Sequence, residues 1–211
     1  MTLLIGVPVR RSLPVEFARA VFALQLPGPV QIVLSEGYAV AAQRNQIVGE
    51  ALQHPDVDAV LFLDDDMLVP PETVRRLLAR QRGIVGALYY AQQPPFQPLA
   101  GRYDFAAADP YRHVTPGTGL QQVDYVGAGA LLIRTAVLRD LPTGQWFQYG
   151  VEDHRGTQRM IMEDEWFCRA ARQQGYAVFC DTDLVVPHLA ALPIDARRAT
   201  ALRAAAGDAP P

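Results

Sequence analysis

The sequence predicts an α/β fold with a mostly parallel sheet flanked by helices. Three observations lead there. Short apolar runs alternate with helical stretches three times in the first half of the chain. Half of the residues are apolar and 19% are charged, the balance of an ordinary globular protein. The 211 residues suffice for one domain with a short appendage.

The elements follow in order. Residues 3–9 read as a buried strand halted by Pro8, and residues 30–34 as a second strand running into Ser35-Glu36. Residues 40–53 carry helical periodicity and stop before His54-Pro55. Residues 59–63 form a third strand that meets Asp64-Asp65-Asp66. Residues 71–82 are a helix, with Pro71 in its first turn, Val74, Leu77 and Leu78 on one face, and Gly83 after it. Residues 84–90 are a fourth strand. Residues 91–122, rich in Pro, Gln, Gly and Tyr, are too long for a plain connection and suggest a functional loop. Residues 123–133 read as strand, or as turn plus strand, and 135–139 as a short helix. Residues 142–162 look loop-like, with Trp146, Phe147 and Tyr149 exposed. Residues 164–174 form a helix closed by Gly175, followed by short strands at 177–180 and 184–186. This makes one domain over 1–194 and an Ala/Arg-rich tail over 195–211, a surface helix or a disordered end.

Composition excludes several functions. The net charge of −3 argues against a generally basic nucleic-acid binder. All 19 cations are Arg, so no lysine Schiff base or phosphate-loop lysine is available. Cys168 and Cys180 cannot build a disulfide framework or a four-cysteine zinc site, and a reduced, cytoplasmic setting is expected. No apolar run approaches the roughly 20 residues of a membrane-spanning helix, and nothing reads as a targeting signal.

Parallel sheets bind ligands beyond the carboxyl ends of their strands. Here that rule selects Pro8-Val9-Arg10, Ser35-Glu36 and Asp64-Asp65-Asp66. Strand alternation places Asp64 and Asp66 on one side and Asp65 on the other. Two carboxylates on one side offer hard oxygen ligands to Mn²⁺ or Mg²⁺; a solvated acidic turn is the plainer alternative. Arg44 falls inside the apolar arc of its helix, where a guanidinium needs an acceptor. That acceptor is either a carboxylate of this chain or an anionic group of a ligand. Glu163 and Asp164 sit where a helix begins, a place acids favour for dipole reasons alone. Glu152-Asp153 is a similar pair in loop context. His188 follows a short strand and would suit a third metal ligand. Gly127-Ala128-Gly129 is no dinucleotide fingerprint, but lets backbone approach a ligand or a neighbouring strand.

In this order the pieces resemble the GT-A glycosyltransferases, especially the family-2-like enzymes of bacteria and phages. The matching stretches are Ile5-Gly6-Val7-Pro8, Gln43-Arg44-Asn45, Leu63-Asp64-Asp65-Asp66 and Gly127-Ala128-Gly129-Ala130. They continue with Glu163-Asp164, Phe167-Cys168-Arg169, Gly175-Tyr176 and His188. The resemblance spans about residues 3–189. It implies that residues 1–90 hold a nucleotide-sugar donor, a UDP- or GDP-sugar, and that 91–194 form the acceptor and catalytic half. Pro8, Val9, Arg10, Ser35 and Glu36 would hold base and ribose. Arg44, Asp65, Gly127 and Ala128 would lie along the donor. Asp66 and His188 would bind the metal, and Asp64 the ribose or the metal's waters. Asp164 would be the catalytic base of an inverting reaction, supported by Glu163. In such a short chain the acceptor is small or bound across a homodimer. A retaining enzyme, a nucleotidyltransferase and a non-catalytic carbohydrate-binding module are the competing readings.

Overall fold

The computed structural model describes residues 2–144 and 146–190. The chain opens with β1 (Thr2–Val9), α1 (Val15–Phe22), β2 (Val30–Glu36), α2 (Val40–Gln53), β3 (Val57–Leu63), α3 (Thr73–Ala79) and β4 (Ile84–Leu88). The middle is strand-rich: β5 (Ala100–Tyr103), β6 (Tyr111–His113), β7 (Leu120–Val123), β8 (Tyr125–Val126) and β9 (Ala130–Arg134). Then come α4 (Thr135–Asp140), β10 (Gly150–His154), β11 (Thr157–Ile161), α5 (Glu163–Gln173) and β12 (Val178–Val185).

The main sheet has seven strands in the order β2-β1-β3-β9-β4-β12-β7. β1 lies parallel to β2 and β3, and β12 parallel to β4. β9 runs antiparallel between β3 and β4, and β7 antiparallel on the edge. Two smaller sheets, β6-β5-β8 and the β10-β11 hairpin, sit in the second half.

Both faces of the central strands are covered, which explains their unbroken apolar runs. In β3, Val60 and Phe62 join one core with Ile47 and Val48 of α2 and Phe167 of α5. The alternate residues Ala59, Leu61 and Leu63 join the other core, with Phe17 of α1 and Val74 and Leu77 of α3. Gly6 of β1 lets α2 approach the sheet, because a Cβ there would collide with the side chain of Ile47.

Several expectations need correction. β1 continues through Pro8, because its pairing with β3 ends at Gly6 and Pro8 has only β2 beside it. A helix over 15–22 was missed although it carries a stripe: Phe17, Ala20 and Val21 recur three and four residues apart and face the core beside α3. Segment 91–122 is mostly loop, as expected, but it also carries three short strands, β5, β6 and the start of β7. The stretch over 142–162 contains the β10-β11 hairpin, and Trp146 and Phe147 are buried; only Tyr149 is exposed. Phe147 packs edge-on to Phe62 and stacks on Phe167, ring centroids 5.2 and 4.9 Å away. The last two short strands are one, β12, with a register shift between Asp181 and Val185. The tail over 195–211 lies outside the described residues. Among the described residues no helix is long and apolar enough to cross a membrane.

Candidate active site

β3 delivers the acidic trio, but it stops at Leu63 and the aspartates enter a turn. Strand alternation therefore does not govern them. The Asp64 N–H donates to Gly129 O at 3.0 Å, and the Met67 N–H to Asp64 O at 3.0 Å. Asp64 turns to Arg44, while Asp65 and Asp66 both face Arg10. The expected side-by-side projection of Asp64 and Asp66 is thus replaced by a split between two guanidiniums.

α2 carries Arg44 beneath the trio, where its side chain is 2% exposed. Arg44 donates to Asp64 Oδ1 at 2.7 Å and to Glu163 Oε1, the first residue of α5. Burial opposes the Arg44 charge, but Asp64 and Glu163 more than offset it and raise its pKa. Of the two readings of Arg44, the ion pair within the chain is present. One residue earlier on α2, Gln43 Nε2 donates to Val9 O and Ser35 O, both at 2.7 Å, and ties the ends of β1 and β2 together.

On the other flank, the Arg10 N–H donates to Asp65 Oδ2 at 3.0 Å, and its side chain donates to Asp66. His188, in the segment after β12, lies with Nε2 3.3 Å from Asp66 Oδ1, and its Nδ1 donates to Tyr90 O at 2.8 Å. Burial pushes against ionisation of Asp66, but His188 and Arg10 prevail and lower its pKa. Burial likewise opposes charge on His188, and Asp66 outweighs it and raises its pKa. Among the described residues, no three or more His, Cys, Asp or Glu side chains converge as a ready metal site.

These residues line a cleft of about 270 Å³ that also takes in Pro8, Tyr89, Gln92 and Leu99. An outer cleft beside it is lined by Val9, Arg10, Glu36 and Tyr38. Ser35 lines neither: it is buried and its hydroxyl donates to Gln46 Oε1 at 2.9 Å. A second cavity of about 340 Å³ holds Asp164, Gly127, Tyr111, His113 and Tyr125, and shares Leu99 and Glu163 with the first. Ala128 is fully buried in the core and lines neither cavity. Asp164 is pushed up to about 7, first by burial and then by Glu163, with Arg44 opposing. Glu152 is held near 2 by Arg169 and Arg159 in an ion-pair network, while Asp153 accepts the Gly156 N–H in the β10-β11 turn at 3.0 Å.

Sequence reasoning missed Tyr89, Gln92, Tyr111, His113 and Tyr125. Tyr89 had a trace in the sequence, the glycines of Gly127-Ala128-Gly129. A Cβ at Gly127 would collide with the Tyr89 hydroxyl, which also accepts the Gly129 N–H at 3.0 Å.

No family model matches the chain, and no curated protein matches it. Solved structures do. A197 from STIV superposes with a TM-score of 0.63 at 18% identity, over 92% of this chain and 87% of that one. TarS 1–349 of S. aureus in complex with UDP-GlcNAc superposes with a TM-score of 0.54 at 13% identity, over 92% of this chain. This chain spans 60% of the length of TarS 1–349, which has also been solved in complex with UDP. The fold is GT-A. Within that GT-A sheet, the clefts described above lie at the carboxyl ends of β1, β2 and β3.

Proposed function

We propose that the chain is a GT-A glycosyltransferase moving one sugar from a nucleotide-diphosphate donor, a UDP- or GDP-sugar, to a hydroxyl acceptor with inversion. One observation carries this reading. An acidic and arginine-lined cleft at the strand ends adjoins a second cavity holding Asp164, and Glu163 and Leu99 border both. Donor and acceptor can therefore meet in line at a carboxylate. The TarS complexes with UDP-GlcNAc and UDP support the donor class.

The residues fit a divalent cation. Asp66 Oδ1 is buried without a hydrogen-bond partner and faces His188 Nε2. The Nδ1–H bond to Tyr90 O leaves the neutral imidazole with its Nε2 lone pair toward that carboxylate. Oxygen with imidazole suits Mn²⁺, and Mg²⁺ with less nitrogen. Asp66 and His188 would hold the cation, with Asp64, which is turned to Arg44, reaching it only through the metal's waters; the cation's chemistry when bound would be to neutralise the departing diphosphate.

The chain's own groups do the rest. Asp164 takes the acceptor hydroxyl's proton, and a carboxylate titrating near 7 suits that task at neutral pH. Arg44 holds Asp64 and Glu163 in fixed positions on either side of the reacting centre. Arg10, whose side chain is 65% exposed, is free to move from Asp66 toward the donor phosphates. Two buried free thiols, Cys168 and Cys180, favour a reducing compartment such as the cytoplasm.

The test is a pair of variants assayed with UDP- and GDP-sugars, with and without Mn²⁺. Asp66→Ala should abolish metal-dependent donor binding. Asp164→Asn should spare donor binding and remove transfer; turnover near wild type would overturn the base assignment. The anomeric configuration of the product, read by NMR, separates inversion from retention.

A further inference from the structure

The cavity around Asp164 has walls of a distinct chemistry. Tyr111 and His113 stack with their rings 9° from parallel, centroids 6.0 Å apart. Tyr125 stands edge-on to both, at 82° and 86°. Hydrogen bonds lock the wall. Tyr125 Oη lies 3.0 Å from His113 Nδ1, and the Tyr111 hydroxyl donates to Glu165 Oε2 at 3.1 Å. Leu99, Val126 and Met162 add apolar surface.

The ionised side chains that line this cavity are acidic, and the cations that answer them stand behind the wall: Arg44 on Glu163, and Arg159 and Arg169 on Glu165, with Arg159 also donating to the Tyr111 hydroxyl from 4.9 Å over its ring. Glu163, Asp164 and Glu165 contribute to its lining, and among the described residues no arginine does. The two guanidiniums that reach Glu165, those of Arg159 and Arg169, are also engaged by Glu152. They cannot answer an anionic ligand without breaking those pairs. Glu163 is 5% exposed and its Oε2 has no hydrogen-bond partner, so a buried acceptor oxygen at the junction of the two cavities awaits a donor.

We propose that this cavity is the acceptor site and that its acceptor is a neutral sugar ring. The ring's apolar C–H face packs on the wall of Tyr111 and Tyr125, as amphipathic aromatic surfaces allow. Its hydroxyls donate to the carboxylate oxygens, which in the ionised form only accept. Phosphorylated sugars and uronic acids are excluded by like charge. The inference rests on the glycosyltransferase reading. In the transfer, the acceptor oxygen bonds to the donor's anomeric carbon as the bond from that carbon to phosphate oxygen breaks. The bonding pair leaves on the diphosphate, and the hydroxyl proton goes to Asp164.

Saturation-transfer NMR on the full chain tests this with no donor present. The probes are the methyl glycosides of glucose, galactose and N-acetylglucosamine, set against glucuronic acid and glucose 6-phosphate. At least one neutral glycoside should bind, with saturation from tyrosine ring protons, at least tenfold more tightly than either anion. Tyr111→Ala should weaken it tenfold or more, and Tyr111→Phe, which keeps the ring, should weaken it less than threefold. Equal or tighter binding of the anions, absence of binding by all three neutral glycosides, or unchanged binding in a folded Tyr111→Ala variant would overturn the proposal. Donor binding is measured separately with UDP- and GDP-sugars and Mn²⁺. If neutral sugars bind here and no nucleotide sugar binds at the aspartates, the transferase reading fails while the sugar site stands.

Discussion

A guanidinium that is 2% exposed must be answered by carboxylates, and Arg44 is answered twice. Removing it leaves the buried Glu163 and the cleft-facing Asp64 without their shared cation. Arg44→Met should therefore destabilise the fold by about 3–5 kcal/mol, the usual cost of orphaning a buried ion pair. Urea denaturation at pH 7 measures this; a loss below about 1 kcal/mol would mean that solvent reaches the pair. Asp164 carries the complementary prediction in pH. Its carboxyl is raised to about 7 by burial and by Glu163, so the base form predominates only above that pH. The kcat profile should rise through an acidic limb near pH 7 and level off above it. The same shift acts on stability with the opposite sense. A carboxyl with a folded-state pKa above its unfolded value weakens the fold above pH 7 and ceases to do so as pH falls toward 4. Asp164→Asn should then raise Tm at pH 8, leave it unchanged near pH 4, and abolish turnover at pH 8. A stabilised variant without activity is the mark of a group held charged for function.

At the level of elements, α2 does more than cover the sheet. It contributes Ile47 and Val48 to the core, presents Arg44 to the site, and fastens β1 to β2 through Gln43. Its distance from the sheet is set at Gly6. Gly6→Ala drives a methyl group into Ile47 and should cost about 1–3 kcal/mol by overpacking. The displaced helix should also misplace Arg44 and lower kcat. Adding Ile47→Ala removes the colliding atoms, so the double variant should be less impaired than the sum of the two single variants, as a double-mutant cycle will show. This helix was legible from sequence because its periodicity is local: the predicted residues 40–53 are the observed ones. The aromatic pair Trp146 and Phe147 was illegible for the opposite reason. Phe147 is held by Asn45, 102 residues away, whose side chain donates to Phe147 O at 2.9 Å and accepts from its N–H at 3.0 Å. No pattern in the neighbouring residues records such a contact.

Across the whole molecule, the two halves differ in how much their sequence reveals. In the first half each strand runs directly into the residues of the cleft, so finding the strand finds Pro8, Glu36 and Asp64 together. The turn of the aspartates away from strand geometry could not be read, because it depends on Arg10 and Arg44 competing for three carboxylates. In the second half the cavity is assembled from distant pieces: Tyr111 reaches Glu165 across 54 residues, and Tyr125 reaches His113 from another strand. Pro- and Gly-rich composition suggested a loop where antiparallel strands present rings. The division also yields a prediction for the entire fold. If the first-half cleft binds donor with a divalent cation, binding must stabilise the folded state by mass action. At a hundredfold excess over Kd that is about 2.7 kcal/mol, and roughly 2–4 °C per kcal/mol for a chain of this size gives a Tm rise of about 5–10 °C. The rise should require both the correct nucleotide sugar and Mn²⁺, vanish on chelation with EDTA, and be absent from Asp66→Ala. Asp164→Asn should retain it, because the base lies in the other cavity. A rise that survives EDTA undiminished would show that the arginines alone hold the diphosphate, and would remove the cation from the mechanism while leaving the donor site intact.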